Sequence, residues 1–410
     1  MNQSLAYVLD VDGTDLPGEG ARLRAGGSAV VVELPGGVRA WAVGHVGTLK
    51  ALLTDSRVSK DPQLHWAAWK ENRIAADWPL RLWVSVRNMF TAYGSDHRRL
   101  RSLVASGFTA KRTMELKPWI ERITESLLDE VAELGRTHDV VDLRAAFAYQ
   151  LPVEVICRLF GVDDAQRAGL RHVVDSVFDT TTTPEAAQAN AEEMYRILTE
   201  LAAQKRAQPG DDLTSAIIQA DSERFGRLTD AEVVDTLILM LTAGHETTVN
   251  LLDQAVTAML THPEQLALVR SGERGWSDVV EETLRWQAPV AYLPLRYAVA
   301  DIDLGDVVIP AGDAILAAYA AAGRDEAEYG ASAAEFDITR AVKQHLSFGH
   351  GIHHCLGAPL ARLEATTALR ALFERFPDLA FAEGRLTPMS SFLSNGHVDL
   401  PVRLGREVSR

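Results

Sequence analysis

The chain has 410 residues, 47% of them hydrophobic and 24% charged, which is the ordinary balance of a globular protein that can bury a large core. Its formal net charge of −15 argues against nonspecific binding to nucleic acid or to an anionic membrane as its main activity. Its two cysteines, Cys157 and Cys355, exclude a disulfide scaffold and a zinc site built from four cysteines.

Hydrophobic periodicity and turn signals predict mostly helices, with few and scattered strands. In chain order the predicted elements are a hairpin at residues 29–44, helices from 96 to about 220, strands between 296 and 318, and a helix from about 357 to 376. Strand-like pieces close the chain, around a turn at residues 394–396. Length alone favours two or three domains.

The sequence carries no pattern typical of secretion or of membrane insertion. Residues 1–16 lack a basic segment followed by an apolar one, so no signal peptide is predicted there. No apolar run approaches the roughly 20 residues that a membrane-spanning helix needs. We therefore expect a cytoplasmic protein without membrane contact.

One predicted helix in the middle of the chain is unusually long. Thr229 and Glu232 have the spacing of a capping box, and the next stop signal is the pair His262 and Pro263. About 34 residues at 1.5 Å each span roughly 50 Å. Residues 233–241 are apolar on nearly every face, so we expect a buried helix. The polar run AGHETT that follows breaks this pattern, and such breaks tend to mark functional sites.

A cluster of histidines precedes the second cysteine. Four of the twelve histidines fall within ten residues, directly before Cys355. Ligands this crowded cannot complete one zinc tetrahedron from consecutive residues. The zinc-protease motif His-Glu-x-x-His also fails, because Val249 stands at the fourth position after His245. The sequence likewise lacks a complete GxGxxG dinucleotide fingerprint, a Walker loop and a GxSxG elbow.

The same cysteine stands just before a predicted helix. Apolar residues recur at helical spacing from Leu360 to Phe376. At the start of such a helix, unpaired backbone N–H groups and the helix dipole favour an ionised thiol. Glycines in the loop let the backbone approach a large flat ligand closely: Gly349, Gly351 and Gly357. A metal–thiolate site and an inert cysteine in a glycine-rich loop both remain open from these residues.

The segment Phe348–Gly357, FGHGIHHCLG, resembles the haem-binding loop of the cytochrome P450 family of haem-thiolate monooxygenases. Four further motifs agree with that family and follow its order: HRRLR at 97–101, AGHET at 243–247, ETLR at 282–285 and FDITR at 336–340. The resemblance covers nearly the whole chain. It implies a single catalytic domain over residues 1–410, mainly α-helical with small β-sheets (α+β), in which the long helix lies over the haem.

The resemblance implies haem b as the cofactor and Cys355 as the axial ligand of its iron, with His353 or His354 as the rival ligand. A thiolate ligand pushes electron density onto the iron and favours O–O cleavage. The positions that match the family's partners of the haem propionates are His97, Arg101, Arg296 and His353. The other haem-binding positions implied are Gly244, Phe348, Gly349 and Gly357.

The resemblance also implies that Glu246 and Thr247 deliver protons in the pocket, while Gly244 leaves room for O2. A carboxylate can relay a proton from solvent, and a hydroxyl can hold a water or donate a hydrogen bond. The alternative for Thr247 is a hydrogen bond back to the carbonyl of Ala243, a common habit of threonine inside helices. His245 faces the substrate or takes part in the relay, and the sequence does not choose between these roles.

Glu282 and Arg285 can pair at i and i+3, although Glu281 and Arg285 are also well spaced. The family pattern selects Glu282 and adds Arg340, which gives a structural charge triad behind the haem loop. The alternative is a surface pair that contributes under about 1 kcal/mol.

Five basic residues lie within fifteen positions of an otherwise acidic chain: Arg98, Arg99, Arg101, Lys111 and Arg112. They form either a solvated helix face or a docking surface for an acidic ferredoxin. The resemblance implies that ferredoxin and ferredoxin reductase supply electrons, because a chain of this length carries no fused reductase. We expect O2 and a hydrophobic small molecule as the other partners, no nucleic acid, and a monomer.

The predicted reaction is insertion of one atom of O2 into a C–H bond of a hydrophobic molecule. The predicted pocket residues are Trp78, Val84, Met89, Phe90, Ala243, Val290, Leu293, Phe392 and Leu393. These apolar residues suit a fused-ring or macrocyclic ligand, and finer resemblance favours a steroid or similar polycycle. The alternatives are a macrolide or another natural product as substrate, a peroxide-driven peroxygenase, and a haem-based sensor or carrier without enzymatic activity.

Overall fold

Helices make up more than half of the chain in the computed structural model, which describes residues 6–105, 107–163, 184–382 and 384–408. The helices are α1 Leu16–Ala25, α2 Val46–Thr54, α3 Pro62–His65, α4 Ala67–Lys70, α5 Arg81–Ser85, α6 Gly94–Ala105, α7 Ala110–Thr137, α8 Gln150–Phe160, α9 Pro184–Ala207, α10 Leu213–Gln219, α11 Asp230–Thr261, α12 Pro263–Arg270, α13 Trp276–Trp286, α14 Tyr319–Ala322, α15 Glu326–Tyr329 and α16 Ala358–Arg375. The mainly helical fold predicted from the sequence is confirmed.

The strands form small sheets. They are β1 Tyr7–Val8, β2 Val30–Leu34, β3 Val38–Val43, β4 Val58–Ser59, β5 Val141–Asp142, β6 Tyr292–Ala298, β7 Ile302–Asp303, β8 Val308–Ile309, β9 Ala314–Ala318, β10 Ala380–Phe381 and β11 Pro401–Arg403. The largest sheet has the order β1-β2-β3-β9-β6-β4, and β10-β11-β5 and β7-β8 form smaller ones. Strands β2 and β3 are the predicted hairpin, and its turn needs Gly36, whose φ is +77°.

The predicted long helix is α11, which has 32 residues and spans roughly 48 Å. Its capping box is complete, because the Thr229 side chain accepts from the Glu232 N–H and the Glu232 carboxylate accepts from the Thr229 N–H. The helix packs against α8, α9, α13 and α16, so its middle is buried on most sides. It therefore positions its central polar residues inside the protein.

Helix α16 begins at Ala358, three residues after Cys355, and packs against α7, α11 and α13. Its buried face carries Ala365, Ala368, Leu369 and Leu372, which belong to the core shared with α11. The segment before it holds a single 3-10 turn, 351–353. Packing of α16 against α11 thus places the cysteine loop next to the centre of the long helix. No described helix is long and apolar enough to cross a membrane.

Candidate active site

A cavity of about 260 Å³ lies between α11 and the loop that carries Cys355. The α11 wall is one helix face, since Met240, Ala243, Thr247 and Leu251 recur at spacings of three and four residues. Cys355 and the residues around it form another part of the lining. The two motifs that the sequence singled out therefore meet at one cavity.

Cys355 is exposed to this cavity, whereas the other cysteine, Cys157, is fully buried in α8. The backbone N–H of Cys355 donates to the Phe348 carbonyl at 2.7 Å, which fixes the loop. Enclosure by the protein raises the pKa of the Cys355 thiol, while the Gly357 N–H and the Arg101 charge lower it. A group of this kind is suited to bind a metal as thiolate, because the metal itself removes the proton.

The glycines near the cavity are required for different structural reasons. Gly349 and Gly351 adopt φ of +71° and +70°, which favours glycine. A Cβ on Gly351 would lie 2.7 Å from the Leu53 carbonyl oxygen, so α2 and not a ligand requires this glycine. Gly244 differs, because a Cβ there would meet only Ile156, at an ordinary 3.6 Å. Gly244 therefore leaves open space on the cavity wall.

A cluster of buried nitrogen donors lies beside the cavity. Both ring nitrogens of His97 and the Nη1 atom of Arg296 lack a hydrogen-bond partner among the described residues. The His97 ring lies 4.1 Å from the His353 ring, centroid to centroid. Burial, and then the charge of Arg101, lowers the pKa of His97 to about 4. Buried donors without acceptors are rare in folded proteins. This cluster suits the two carboxylates of a haem, and together with Cys355 and the open cavity the residues present fit that cofactor.

Arg101 holds the cysteine loop directly. Its Nη2 atom donates to the His354 carbonyl at 2.5 Å, so α6 is joined to the loop one residue before Cys355. Arg101 also lines the cavity. His97 and Arg296 are not part of the described lining, although the His97 ring contacts that of His353. The other predicted haem-binding residues all line the cavity: Arg101, Gly244, Phe348, Gly349, His353, Cys355 and Gly357.

Thr247 lies on the α11 wall of the cavity. Its hydroxyl donates to the Ala243 carbonyl at 2.8 Å, which is the back-bonded arrangement named as an alternative above. Because the hydroxyl donates along the helix, its oxygen lone pairs are left to accept hydrogen bonds from the cavity side. Thr248 makes the same kind of bond to the Gly244 carbonyl at 3.1 Å.

Glu246 is buried but does not belong to the described cavity lining. Its carboxylate lies 3.0 Å from Arg144, which also pairs with Asp253 at 2.9 Å and donates to Asn250 at 3.0 Å. His397 Nδ1 lies 2.7 Å from the other oxygen of Asp253. Burial raises the pKa of Glu246, while the Arg144 charge lowers it. We call Arg144, Glu246, Asn250, Asp253 and His397 the α11 polar network.

The sequence analysis did not find Arg144 or Asp253. Arg144 lies 102 residues from Glu246 and 109 residues from Asp253, and sequence spacing alone gives no sign of such pairs. Arg144 stands in a single π-helical turn, 144–148, before α8. Such turns are frequent at functional sites.

His245 does not belong to the described cavity lining, so it does not face a substrate there. It is fully buried, and its Nε2 atom lies 3.2 Å from the Tyr149 carbonyl. Its ring meets the Tyr149 ring edge to face at 4.5 Å, outside the described cavity lining. Burial, and then the charge of Arg144, lowers the pKa of His245 to about 3. His245 thus packs α11 against the segment before α8.

The predicted charge triad is present. Arg285 binds both carboxylate oxygens of Glu282, at 2.8 and 2.7 Å, and both side chains are fully buried. Arg340 lies 3.5 Å from the same carboxylate. Glu281 has different partners, Arg362 at 2.5 Å and His345 at 3.3 Å. The ambiguity between the two acids is thereby resolved in favour of Glu282.

Five of the nine predicted pocket residues line the cavity: Met89, Phe90, Ala243, Val290 and Leu293. The other four, Trp78, Val84, Phe392 and Leu393, are not part of the described lining. They pack instead in or against the core beneath the largest sheet, where Phe392 stacks on Tyr292 at 5.1 Å. Burial of apolar side chains stabilises the fold equally well in a core and on a cavity wall. Residue type alone therefore could not show which of these four residues line the cavity.

The sequence analysis missed several lining residues: Phe108, Ile156, Leu159, Leu239, Met240, Thr248 and Glu364. Met240 could have been predicted as a lining residue, because it lies on the same helix face as Ala243 and Thr247. Glu364 is the unexpected one, because it is a buried acid on α16. Burial raises its pKa to about 8, and its Oε2 atom has no hydrogen-bond partner among the described residues.

Comparison with known proteins agrees with this geometry. The cytochrome P450 family matches residues 179–271 and 277–391. The chain belongs to the cytochrome P450 family. It is accordingly a haem monooxygenase, an oxidoreductase that uses haem b. P450 enzymes generally take electrons from partners such as ferredoxin and its reductase.

Two characterised relatives are hydroxylases. The chain is 43% identical over 400 residues to 2-hydroxy-5-methyl-1-naphthoate 7-hydroxylase of Streptomyces carzinostaticus, covering 97% of each protein. It is 38% identical over 379 residues to 6-deoxyerythronolide B hydroxylase of Saccharopolyspora erythraea, covering 90% of this chain and 91% of the relative.

Solved P450 structures superpose closely. CYP154A1 from Streptomyces coelicolor A3(2) has a TM-score of 0.89 at 52% identity, covering 97% of this chain and 100% of that one. CYP154C4 from Streptomyces sp. ATCC 11861, described as "Testerone bound", has a TM-score of 0.93 at 45% identity, covering 98% and 99%. The predicted P450 fold is confirmed.

The triad predicts different effects for two adjacent acids. Glu282→Ala leaves Arg285 charged and buried without its partner, so the free energy of unfolding should fall by about 3–5 kcal/mol and little haem-loaded protein should form. Glu281→Ala is the matched control and should cost less, because 30% of the Glu281 side chain is exposed and water can reach its partners. Denaturant unfolding and haem content measure both. Equal losses in the two variants would contradict this role for Glu282.

Proposed function

We propose that this P450 hydroxylates a neutral fused-ring compound such as a steroid, with electrons from a separate ferredoxin system. The observation that carries the proposal is the composition of the cavity wall away from Cys355. That wall is built from large apolar side chains: Phe90, Phe108, Leu239, Met240, Val290 and Leu293. Flat, rigid hydrocarbon skeletons bury well against such a surface.

The charges of the lining favour a neutral substrate. Among the described residues the lining has one arginine, Arg101, which is bonded to the cysteine loop. Its one carboxyl group, that of Glu364 on α16, has a pKa raised by burial to about 8 and is mainly protonated at pH 7. A substrate carrying an amino sugar or a carboxylate would therefore bury its charge without an opposite charge on the apolar wall, which is costly. This argues for a steroid-like polycycle, with a neutral macrolactone as the alternative. The solved structure of CYP154C4, "Testerone bound", supports the first.

When bound, a thiolate-ligated haem activates O2 so that one oxygen atom enters a C–H bond and the other leaves as water, which consumes two electrons and two protons. The apolar wall holds the substrate and excludes water. Thr247 provides an oxygen atom on the cavity wall at which a water molecule can be held. Protons must then reach this hydroxyl from elsewhere.

We assign the proton supply to Glu246. Its carboxyl group is one residue from Thr247 and its pKa is raised by burial, so it holds a proton closer to neutral pH than an exposed acid does. In the structure it faces Arg144 and not the cavity. Transfer toward Thr247 therefore requires the Glu246 side chain to rotate away from Arg144, and the α11 polar network sets how readily it does so.

The basic surface residues divide into two groups. Arg99 is paired with Glu232 and Arg101 is bonded to the His354 carbonyl, so both serve the fold. Arg98 and Lys111 are exposed, and Arg112 is half-buried. Lys111 lies 3.8 Å from Glu115, but both side chains are mostly exposed, so this weak pair leaves Lys111 accessible to a partner. Because Arg98 lies one helical turn before Arg101, it faces the side of the protein that carries the cysteine loop. We assign the docking of an acidic ferredoxin to this side.

A spectral titration tests the substrate class. Testosterone, 6-deoxyerythronolide B and 2-hydroxy-5-methyl-1-naphthoate represent a neutral polycycle, a neutral macrolactone and an anionic aromatic acid. Binding of a compound next to the haem would shift the Soret band, and the size of that shift against concentration gives a Kd for each compound. We expect the steroid to bind with the lowest Kd and to yield hydroxylated product with ferredoxin, its reductase and NAD(P)H. Tightest binding of the naphthoate would contradict the argument from charge, and product with peroxide alone would indicate a peroxygenase.

Thr247→Ala should uncouple electron use from hydroxylation. Without the hydroxyl the water on the cavity wall loses its anchor, so more NAD(P)H should end in hydrogen peroxide and less in product. Substrate affinity should hardly change, because the variant adds only a small void. Thr247→Ser keeps the oxygen atom and is the matched control. Product and peroxide formed per NAD(P)H measure the effect. Wild-type coupling in the alanine variant would show that Thr247 is only a back-bonded structural residue.

A further inference from the structure

Lys60 is a buried cation beside the haem-carboxylate cluster of His97, His353 and Arg296. It directly follows β4, and only 3% of the residue is exposed. Its Nζ atom lies 3.4 Å from the Pro294 carbonyl and 3.6 Å from the centre of the Phe90 ring. The structure shows no carboxylate of the described residues paired with it. The sequence analysis did not single this lysine out.

These contacts do not offset the burial of an ammonium group. Removing such an ion from water costs several kcal/mol. One long hydrogen bond to a carbonyl contributes about 1 kcal/mol, and a desolvated cation–π contact about 2 kcal/mol. Natural proteins bury lysine almost only where a partner neutralises it. A negative group that the protein chain itself does not supply is therefore expected next to Nζ.

The neighbours of Lys60 locate this negative group. Burial most strongly, and then the positive charge of Arg296, lowers the pKa of Lys60. Antiparallel pairing of Ser59 with Tyr297 places Lys60 beside Arg296, because these are the next residues along strands β4 and β6. Lys60 therefore lies on the same side of the cavity as the unpaired guanidinium nitrogen of Arg296. Phe90, which the ammonium covers, and Leu293, next to Pro294, both line that cavity.

The charges also balance. Lys60 and Arg296 are two buried cations for which the described residues offer no carboxylate partner, and a haem carries two propionates. Both ring nitrogens of His97 and the Nη1 atom of Arg296 lack a partner among the described residues, so they can bind to such carboxylates. Two anions placed among these groups would neutralise both cations and accept from the unpaired nitrogens.

We propose that Lys60 binds a haem propionate and is a cofactor-binding residue of this enzyme, in addition to those implied by the family motifs. The inference rests on the haem cofactor and is independent of the substrate. It explains why a lysine is buried against Phe90 at the edge of the cavity.

The test uses the holoenzyme with ¹³C in the propionate carboxyl groups. In Lys60→Met, the infrared difference spectrum of ferric minus ferrous protein should show a shifted band for one propionate, because its cationic partner is lost. Haem transfer to apomyoglobin should become about tenfold faster, the factor expected for one lost charge-assisted hydrogen bond. The midpoint potential should fall, since removing a positive charge favours the ferric state.

Lys60→Arg should retain most of the wild-type behaviour. Lys60→Gln keeps a hydrogen-bonding group without the charge, so it should still show the shifted band and the lower potential even where methionine disturbs folding. Lys70→Met is the matched control, because it removes the same charge from an exposed lysine of α4. Unchanged propionate bands in both Lys60→Met and Lys60→Gln would overturn the proposal, whether or not haem loss is faster. Absence of a thiolate-ligated haem in the wild type would instead refute the proposed function.

Discussion

The buried ion pair between Glu282 and Arg285 supports the whole region that presents Cys355. Arg285 uses its remaining donors on backbone carbonyls, with Gly323 and Ala333 at 2.7 and 2.8 Å and Glu335 at 2.7 Å. These carbonyls belong to the segment that leads into the cysteine loop. A guanidinium satisfied in this way fixes several chain segments at once, because its five donors lie in one plane. The segment before the loop is thereby held against α13.

The same helix also binds the loop itself. The Ser347 hydroxyl donates to the Leu284 carbonyl at 2.5 Å, and His345 lies 3.3 Å from Glu281. Burial would raise the pKa of Glu281, but hydrogen bonds from His345 and Arg362 hold it at about 2. Since Arg362 belongs to α16, the carboxylate joins α13 to the helix that follows Cys355. The position of the cysteine relative to α11 thus depends on charges that are fully paired.

On the other side of the cysteine loop the buried cationic and ring-nitrogen groups are not fully hydrogen-bonded. Around Arg285 every donor has an acceptor, whereas His97, Arg296 and Lys60 lack adequate acceptors among the described residues. Buried polar groups in folded proteins almost always have hydrogen-bond partners. The missing acceptors of the second cluster are therefore expected from a bound ligand. The paired cluster therefore serves the fold, and we propose that the incomplete cluster serves the cofactor.

The sequence allowed prediction of features that are local in the chain. The capping box of α11, the hairpin β2–β3 and the helix after Cys355 follow from neighbouring residues, and the motif residues were assigned through the family resemblance. Contacts between distant segments were not predictable. Arg144 meets Glu246, and Lys60 meets Phe90, only because the fold brings them together. Trp78 and Phe392 were wrongly predicted to line the pocket, because the type of an apolar residue does not show whether it lies on a cavity wall or in a core.

The central claim is that Cys355, and neither His353 nor His354, binds the haem iron. The spectrum of the ferrous–CO complex tests it most directly, because a thiolate ligand moves the Soret band strongly to the red of that of histidine-ligated haem. We predict the red-shifted band in the wild type and in Cys157→Ser, whose sulfur is buried in α8. Cys355→His should move the band to the histidine position. An unchanged band in Cys355→His would contradict the account.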